Sequence, residues 1–278
     1  MFNFLHTFNP SSILISIGPI DIYWYGFFIV LGFLTAITIA IYLAKPYGIK
    51  TETIIDLSVW LIIGGIIGAR LYDIFLELPY FLANPIDIFK VWQGGLAIHG
   101  AIIGGGLSLY LFAKKYKHNF WQLAGIVVTG LPLAQAIGRW GNYFNQELFG
   151  YPTNLIWGIP IDQVHRPWQY FNYDYFHPTF LYESIGNLII FLILISLQIW
   201  IIKKQKFSTQ HYVAGVMSYA FLYSLLRFST EFIRIDTTPI ILDLRFPQII
   251  SLIIIFLSLG YFFYNIWLKI KENKPLDN

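Results

Sequence analysis

The sequence contains no cysteine, and this absence removes several kinds of chemistry. Without cysteine the chain can form neither disulfides nor cysteine-ligated metal sites, and it supplies no thiol nucleophile of its own. Charged residues are also scarce, at 12% of 278 residues, whereas a soluble domain has about 25%. Hydrophobic residues make up 56%. The composition therefore predicts an integral membrane protein, and the net charge of +3 does not indicate a nucleic-acid partner.

Lysine and arginine are absent from residues 1–22. A secretory signal peptide begins with a basic region, so we do not expect this segment to be a typical cleaved signal peptide. Spacings typical of metal ligands are also missing. His177 and Glu183 are six residues apart, and no His-x-x-x-His or Glu-x-x-His pair occurs, so we predict no metal site and no cofactor.

Seven apolar segments each approach the ~20 residues that a helix needs to cross the hydrocarbon core. The fourth contains Pro132, which is tolerated where neighbouring groups satisfy the backbone. We therefore predict an all-α polytopic membrane protein, with one domain over residues 1–278 and a small extracytoplasmic cap over residues 140–176. The predicted spans are 24–44, 54–76, 96–113, 121–138, 178–202, 210–233 and 247–268.

The distribution of lysine predicts the orientation of these spans. Eleven of the 18 basic residues are lysines that fall on alternate connections or in the C-terminal tail. Cytoplasmic loops carry the excess of lysine and arginine, so we predict that the N-terminus is outside and the C-terminus is cytoplasmic. The eleven are Lys45, Lys50, Lys114, Lys115, Lys117, Lys203, Lys204, Lys206, Lys269, Lys271 and Lys274.

The other seven basic residues lie at or beyond the predicted outer ends of the spans, and six of them are arginine. Arginine presents a planar, bidentate fork that matches phosphate and carboxylate. The pattern therefore predicts an anionic ligand at this face; the alternative is snorkelling and ion pairing with local acids. The seven are Arg70, Lys90, Arg139, Arg166, Arg227, Arg234 and Arg245.

Ionisable residues are concentrated at this outer depth, and the inner halves of the spans have almost none. Channels and transporters usually place polar groups through the full thickness or at the midplane. We therefore expect a ligand that resides in the outer leaflet, such as a phospholipid headgroup. Two alternatives remain, an outer-leaflet phospholipid-binding transporter or flippase, and a non-catalytic seven-span scaffold or receptor.

One stripe of polar residues marks the sixth predicted span. Tyr223, Arg227 and Glu231 are spaced by four and Arg234 follows by three, so they share one helix face. This face is predicted to contact a ligand; an internal Arg–Glu pair that packs two helices is the alternative. His99 lies about one turn inside the third span and is either a hydrogen-bonded core residue or a functional one.

Glycines recur in the second and third spans with small-xxx-small spacing, which indicates close helix approach. They are Gly64, Gly68, Gly100, Gly104, Gly105 and Gly106.

The stretch 138–150 has the sequence Gly-Arg-Trp-Gly-Asn-Tyr-Phe-Asn-Gln-Glu-Leu-Phe-Gly. It resembles the signature of the prolipoprotein diacylglyceryl transferases, which is Gly-Arg-x-Gly-Asn-aromatic-x-Asn-x-Glu-x-aromatic-Gly. His99-Gly100 also resembles a family motif, as do Arg227 and Glu231. The segment 177–183 resembles a further motif, with phenylalanine where the family usually has glutamine.

The resemblance implies a specific reaction. The family transfers the diacylglyceryl group of phosphatidylglycerol to the thiol of a lipobox cysteine in an exported preprolipoprotein, so that a thioether forms and glycerol phosphate leaves. The substrate supplies the sulfur, which fits an enzyme without cysteine. The implied location is the bacterial cell (inner) membrane. The implied partners are phosphatidylglycerol, the preprolipoprotein signal peptide with its lipobox cysteine, and membrane lipids, with no nucleic acid.

The resemblance also implies roles for particular residues. Arg139 and Arg227 would hold the phosphate, and His99 would take the thiol proton, with Glu231 as the second candidate. Glu147 would pair with an arginine or cap the loop. The other expected substrate-binding residues, of which the first two would orient the headgroup, are Tyr25, Asn142, Asn145, Tyr223 and Arg234.

Overall fold

The computed structural model describes residues 2–205 and 207–272. The chain divides into two compact units, a first unit of Met1–Ala36 with Val128–Asn278 and a second unit of Ile37–Val127. The α-helices are α1 Phe2–Thr7, α2 Trp24–Ala44, α3 Thr51–Leu76, α4 Leu78–Ala83, α5 Ile98–Tyr116, α6 Phe120–Phe144, α7 Thr179–Lys203, α8 Thr209–Glu231 and α9 Phe246–Glu272. The strands form three antiparallel pairs, β1 Ile13–Ile17 with β2 Ile20–Tyr23, β3 Ile159–Pro160 with β4 Tyr175–Phe176, and β5 Ile240–Ile241 with β6 Leu244–Arg245.

The predicted helical membrane class is confirmed. Within the described residues, five helical segments are long and apolar enough to cross a membrane, by length and composition. Helices α5 and α8 coincide with the predicted spans 96–113 and 210–233, but they are not among these five segments. The total of seven spans therefore stays a prediction. The five segments are Trp24–Tyr47, Thr51–Leu76, Phe120–Phe144, Thr179–Lys203 and Phe246–Leu268.

Helix α6 continues to Phe144, six residues beyond the predicted end of the fourth span. Aromatic packing stabilises this extension, because the Phe144 ring stacks on Trp24 with 4.5 Å between centroids. Gly141 allows the helix to approach α2 closely, since a Cβ there would lie 2.8 Å from the Tyr25 ring. The first half of the signature stretch is therefore helical. Its second half is a loop in which Gln146 and Leu148 have positive φ.

The polar segment between α6 and α7 packs around a small apolar core that it shares with α1 and the adjoining ends of α6 and α7. Strands β3 and β4 pair beside α1, where the His6 ring stacks on Tyr175 at 4.0 Å. Phe180 is buried and stacks on Tyr143 at 4.6 Å, so the phenylalanine that replaces the family's usual glutamine fills this core. The buried core residues are Leu5, Tyr143, Phe149, Ile159, Ile161, Phe176, Phe180 and Leu181.

The second unit is held together by the close packing of α3 on α5. A Cβ atom on Gly68, Gly100 or Gly104 would overlap the backbone of the facing helix. A Cβ atom on Gly64 would overlap the Ser108 side chain of that helix. The predicted glycine packing is thus confirmed at four positions. It is wrong for Gly105 and Gly106, where an added Cβ has no neighbour within 4 Å, because only every fourth position of a helix faces the same partner.

Gly64, Gly68, Gly100 and Gly104 form the close contact between α3 and α5, named here the glycine seam. The contrast with Gly105 gives a direct test of it. We expect Gly104→Ala to destabilise the protein by about 1–3 kcal/mol, because the added methyl group overpacks a backbone contact. The matched variant Gly105→Ala should be neutral or slightly stabilising, since alanine is the better helix former by about 1 kcal/mol. Thermal unfolding in detergent measures both. Equal midpoints for the two variants would contradict the packing described.

Candidate functional site

A cluster of four arginines and three carboxylates lies in the first unit, at the ends of three long helices. Its centre is Glu183, in the first turns of α7 and almost fully buried. Glu183 contacts Arg139 of α6, with 2.5 Å from Oε2 to Nη2. Its Oε1 accepts a hydrogen bond from Arg234 Nη1 at 2.9 Å and lies 3.7 Å from Arg227 Nη1. One carboxylate therefore holds guanidinium groups from three parts of the chain.

A second carboxylate extends the cluster along α8. Glu231 is fully buried, and its two oxygens lie 2.7 Å from Arg227 Nη2 and 2.9 Å from Arg245 Nε. Both are ion-pair contacts that lack the alignment of hydrogen bonds. The Arg227–Glu231 pair lies within one helix face, as the i,i+4 spacing indicates. The pair that joins two helices is instead Arg227 with Glu183 of α7, at 3.7 Å.

The third carboxylate, Asp236, lies after α8 and binds both Arg234 and Arg245. Its Oδ1 accepts a hydrogen bond from Arg234 Nε at 2.7 Å, and its Oδ2 lies 3.5 Å from Arg245 Nη2. Burial alone would raise the pKa of Asp236, but the hydrogen bond from Arg234 and the positive charges of the arginines hold it below its usual value. Asp236 therefore stays ionised and fixes two guanidinium groups at one edge of the cluster.

The charges of the cluster do not cancel. Four arginines against three carboxylates leave a formal charge of +1. Arg227 is 18% exposed, and no acceptor in the described part of the chain makes a hydrogen bond to its buried Nη1. A buried donor without an acceptor is costly. The cluster therefore has surplus positive charge and a donor with unused hydrogen-bonding capacity.

Asn142 connects this cluster to the signature loop. Its Oδ1 accepts from Arg139 Nη1 at 3.4 Å, and its Nδ2 donates to Glu147 Oε1 at 2.7 Å. Through this amide Glu147 is linked to Arg139. The Asn142 carbonyl also accepts from the Glu147 backbone nitrogen at 3.0 Å, which closes the helix end onto the loop.

Two other predicted substrate-binding residues line a cavity of about 380 Å³ beside the start of α2. Tyr25 and Asn145 contribute polar groups to walls that are otherwise largely apolar, from Ile22, Gly26 and Phe27. The first unit therefore brings polar signature residues next to apolar surface, which suits a ligand with both a headgroup and hydrocarbon.

Tyr223 and His99 each lie beside another aromatic ring. Tyr223 stacks on Tyr219 in α8, with 5.7 Å between ring centroids. His99 belongs to the second unit, in the first turn of α5, and its ring lies 5.9 Å from that of Tyr72.

The remaining outer arginines hold loops. Arg70 donates to the carbonyls of Asp87, Ile88, Gly94 and Gly95. Arg166 donates to two carbonyls and pairs with Asp174 at 3.1 Å. The donors of these two arginines bind backbone oxygens and nearby acids. This supports the alternative, local pairing, over a ligand-facing role for Arg70 and Arg166.

Sequence reasoning did not assign Glu183, Asp236 or Arg245 to the site, although Arg245 was one of the seven outer basic residues. Glu183 was visible in the motif over residues 177–183, but its spacing did not show that it would meet three arginines. Arg245 and Asp236 lie on the connection between α8 and α9, where no helical period applies. Gln146, a variable position of the signature, is buried and bonds to Asn9 and Asp162, so it ties the loop to the N-terminal segment.

Comparison with known proteins identifies the family to which the chain belongs. The family model for prolipoprotein diacylglyceryl transferase matches residues 12–264. A phosphatidylglycerol–prolipoprotein diacylglyceryl transferase of Nostoc sp. is 42% identical over 277 residues, covering 99% of this chain and 94% of the relative. The enzyme of that name from Synechococcus elongatus is 44% identical over 251 residues, covering 89% and 84%. With its signature stretch folded around the arginine cluster, the chain belongs to the prolipoprotein diacylglyceryl transferase family.

Proposed function

We propose that this protein transfers the diacylglyceryl group of phosphatidylglycerol to the lipobox cysteine of preprolipoproteins. Family membership supports the reaction class, and the names of the relatives state the lipid and the protein substrate. The observation that supports the proposal at this site is the cluster with a formal charge of +1, in which Arg227 Nη1 donates no hydrogen bond to the described residues. A leaving phosphate is the anion that such a cluster suits. No contact specifically favours the alternative, an outer-leaflet transporter or flippase.

The chemistry requires a thiolate to attack carbon while a phosphate ester departs. Donors that are fixed before the reaction stabilise charge that develops on the leaving group. We assign the phosphate to Arg139 and Arg227, with Arg234 beside them. Glu183 and Glu231 hold these guanidinium groups in place through the contacts described above.

The proton of the substrate thiol needs an acceptor, because a free thiol is largely protonated at neutral pH. We propose His99 for this role. Glu231 is the second candidate, but its two oxygens already contact Arg227 and Arg245, which favours a positioning role for it. Imidazole suits a base at neutral pH.

The other predicted substrate-binding residues would contact the lipid or support those that do. Asn142 and Tyr25 would orient the headgroup beside Arg139, and Asn145 would contact the lipid from the cavity that Tyr25 also lines. We assign Glu147 to fixing Asn142. Tyr223 would line the approach to Arg227 from one turn earlier in α8.

We infer that the protein lies in the bacterial inner membrane with seven spans. The lysine pattern supports an N-terminus outside and a cytoplasmic C-terminus. In that orientation the arginine cluster and the cap segment would be on the outer side, where exported preprolipoproteins present their cysteine.

The bidentate character of two arginines is testable by charge-conserving substitution. We expect Arg139→Lys and Arg227→Lys each to lower activity by about tenfold to a hundredfold, because a lost charged contact costs on the order of 1.5–3 kcal/mol. Purified protein is incubated with phosphatidylglycerol and a lipobox peptide, and the mass of the peptide reports transfer. Lys114→Ala, at an exposed position, is the control and should be unchanged. Wild-type turnover by folded Arg227→Lys would argue against bidentate holding.

The base is testable by pH dependence. His99→Gln should be slow at every pH, because no group then takes the thiol proton. Its residual rate should rise about tenfold per pH unit up to the thiol pKa near ~8.5, as the substrate ionises unaided. The wild-type rate should flatten at lower pH. A folded His99→Gln with the wild-type rate and profile would move the role to Glu231 or to the unassisted thiolate.

The orientation is testable by labelling, since the chain has no cysteine of its own. Single cysteines in place of Lys115 and Lys204 should be shielded from an impermeant thiol reagent in intact cells, and one in place of Leu155 should react. The reverse pattern would invert the proposed topology.

A further inference from the structure

The β1–β2 hairpin separates its apolar and polar side chains onto opposite faces. Cross-strand partners share a face, and the register pairs Ile15 with Ile22 and Ile17 with Ile20. Between these pairs, on the other face, Ser16 opposes Asp21, and the Ser16 hydroxyl donates to the Asp21 carboxylate at 2.6 Å. Four isoleucines thus form one continuous surface, named here the isoleucine face.

The isoleucine face is open. The exposed fractions are 51% for Ile15, 59% for Ile17, 64% for Ile20 and 41% for Ile22. Single exposed apolar residues are ordinary, but a contiguous apolar surface with a polar reverse side marks a site of interaction. Neither strand pairs with a third strand in the described part of the chain.

The position of the hairpin identifies what covers this face. β2 ends at Tyr23, and the first apolar, membrane-length helix begins at Trp24, the next residue. The hairpin is therefore continuous with the end of a spanning segment. Tyrosine and tryptophan at this junction are the residues that favour the interface between membrane and water.

The open strand edges limit how deeply the hairpin can enter the bilayer. Unpaired backbone N–H and C=O groups cannot enter the hydrocarbon core, because nothing there satisfies them. A two-stranded hairpin has two such edges and so cannot insert upright. It can lie flat at the interface, with its edges and the Ser16–Asp21 side hydrated and the isoleucines against the acyl chains, as amphipathic helices do.

We propose that the β1–β2 hairpin is an interfacial membrane-binding element whose isoleucine face rests on the lipid beside the start of α2. Ile22 and Tyr23 also line the cavity that contains Tyr25 and Asn145. The hairpin therefore holds one wall of that cavity at the lipid boundary, where a phospholipid can approach sideways. This inference rests on the membrane location of the protein and does not depend on the reaction that it catalyses.

Spin labels at single cysteines test the proposal in the full-length protein, reconstituted in bilayers that contain phosphatidylglycerol. Ile17→Cys and Ile20→Cys report the isoleucine face; Ser16→Cys reports the opposite face one residue away. Power saturation compares collision with oxygen, which partitions into lipid, and with a water-soluble nickel complex. The ratio of oxygen to nickel accessibility should be severalfold higher at Ile17 and Ile20 than at Ser16.

Two other outcomes would overturn the proposal. High nickel accessibility at all three positions would mean that the hairpin is surrounded by water. Immobile labels at Ile17 and Ile20 that neither reagent reaches would mean that protein, such as a second copy of the chain, covers the face. Two reporters on the isoleucine face keep the test valid when one variant folds poorly. The result is independent of activity, so a failed transferase assay would leave it intact.

Discussion

The carboxylate of Glu183 is the contact on which the candidate site depends. It brings together Arg139, Arg227 and Arg234, three cations whose mutual repulsion it offsets. A buried charge without a partner is strongly destabilising, and removal of one member of a buried pair typically costs about 3–5 kcal/mol. The ends of α6, α7 and α8 meet at this point through their opposite charges.

The carboxylates of the cluster offset most of its positive charge but leave a formal charge of +1. Glu231 and Asp236 fix the guanidinium groups of Arg227, Arg234 and Arg245, while Arg227 Nη1 lies 3.7 Å from Glu183 without donating a hydrogen bond to the described residues. Donors that are already oriented need no reorganisation when an anion arrives. Net charge and fixed geometry, rather than the number of arginines, distinguish this group from the loop-holding Arg70 and Arg166, whose donors are taken up by carbonyls.

The signature stretch performs two structural tasks. Its helical half places Arg139 and Asn142 on α6, which packs closely on α2 at Gly141. Its loop half turns back through left-handed conformations at Gln146 and Leu148, so that Glu147 meets Asn142 and Gln146 meets Asp162. The motif thus joins the arginine cluster to the small core between α6 and α7, and a change in either half is expected to disturb both.

The sequence by itself determined the helical membrane class, the approximate positions of the long helices, the glycine seam between α3 and α5 and the family. These follow from local composition and spacing, because hydropathy and helical period act within one segment. Only the tertiary structure decided that Glu183 would join three arginines, that Arg245 and Asp236 would complete the cluster, and that Arg70 would hold a loop instead. Those partners are up to about 50 residues apart in the chain, and since residues distant in sequence meet only through the fold, no spacing rule could have paired them.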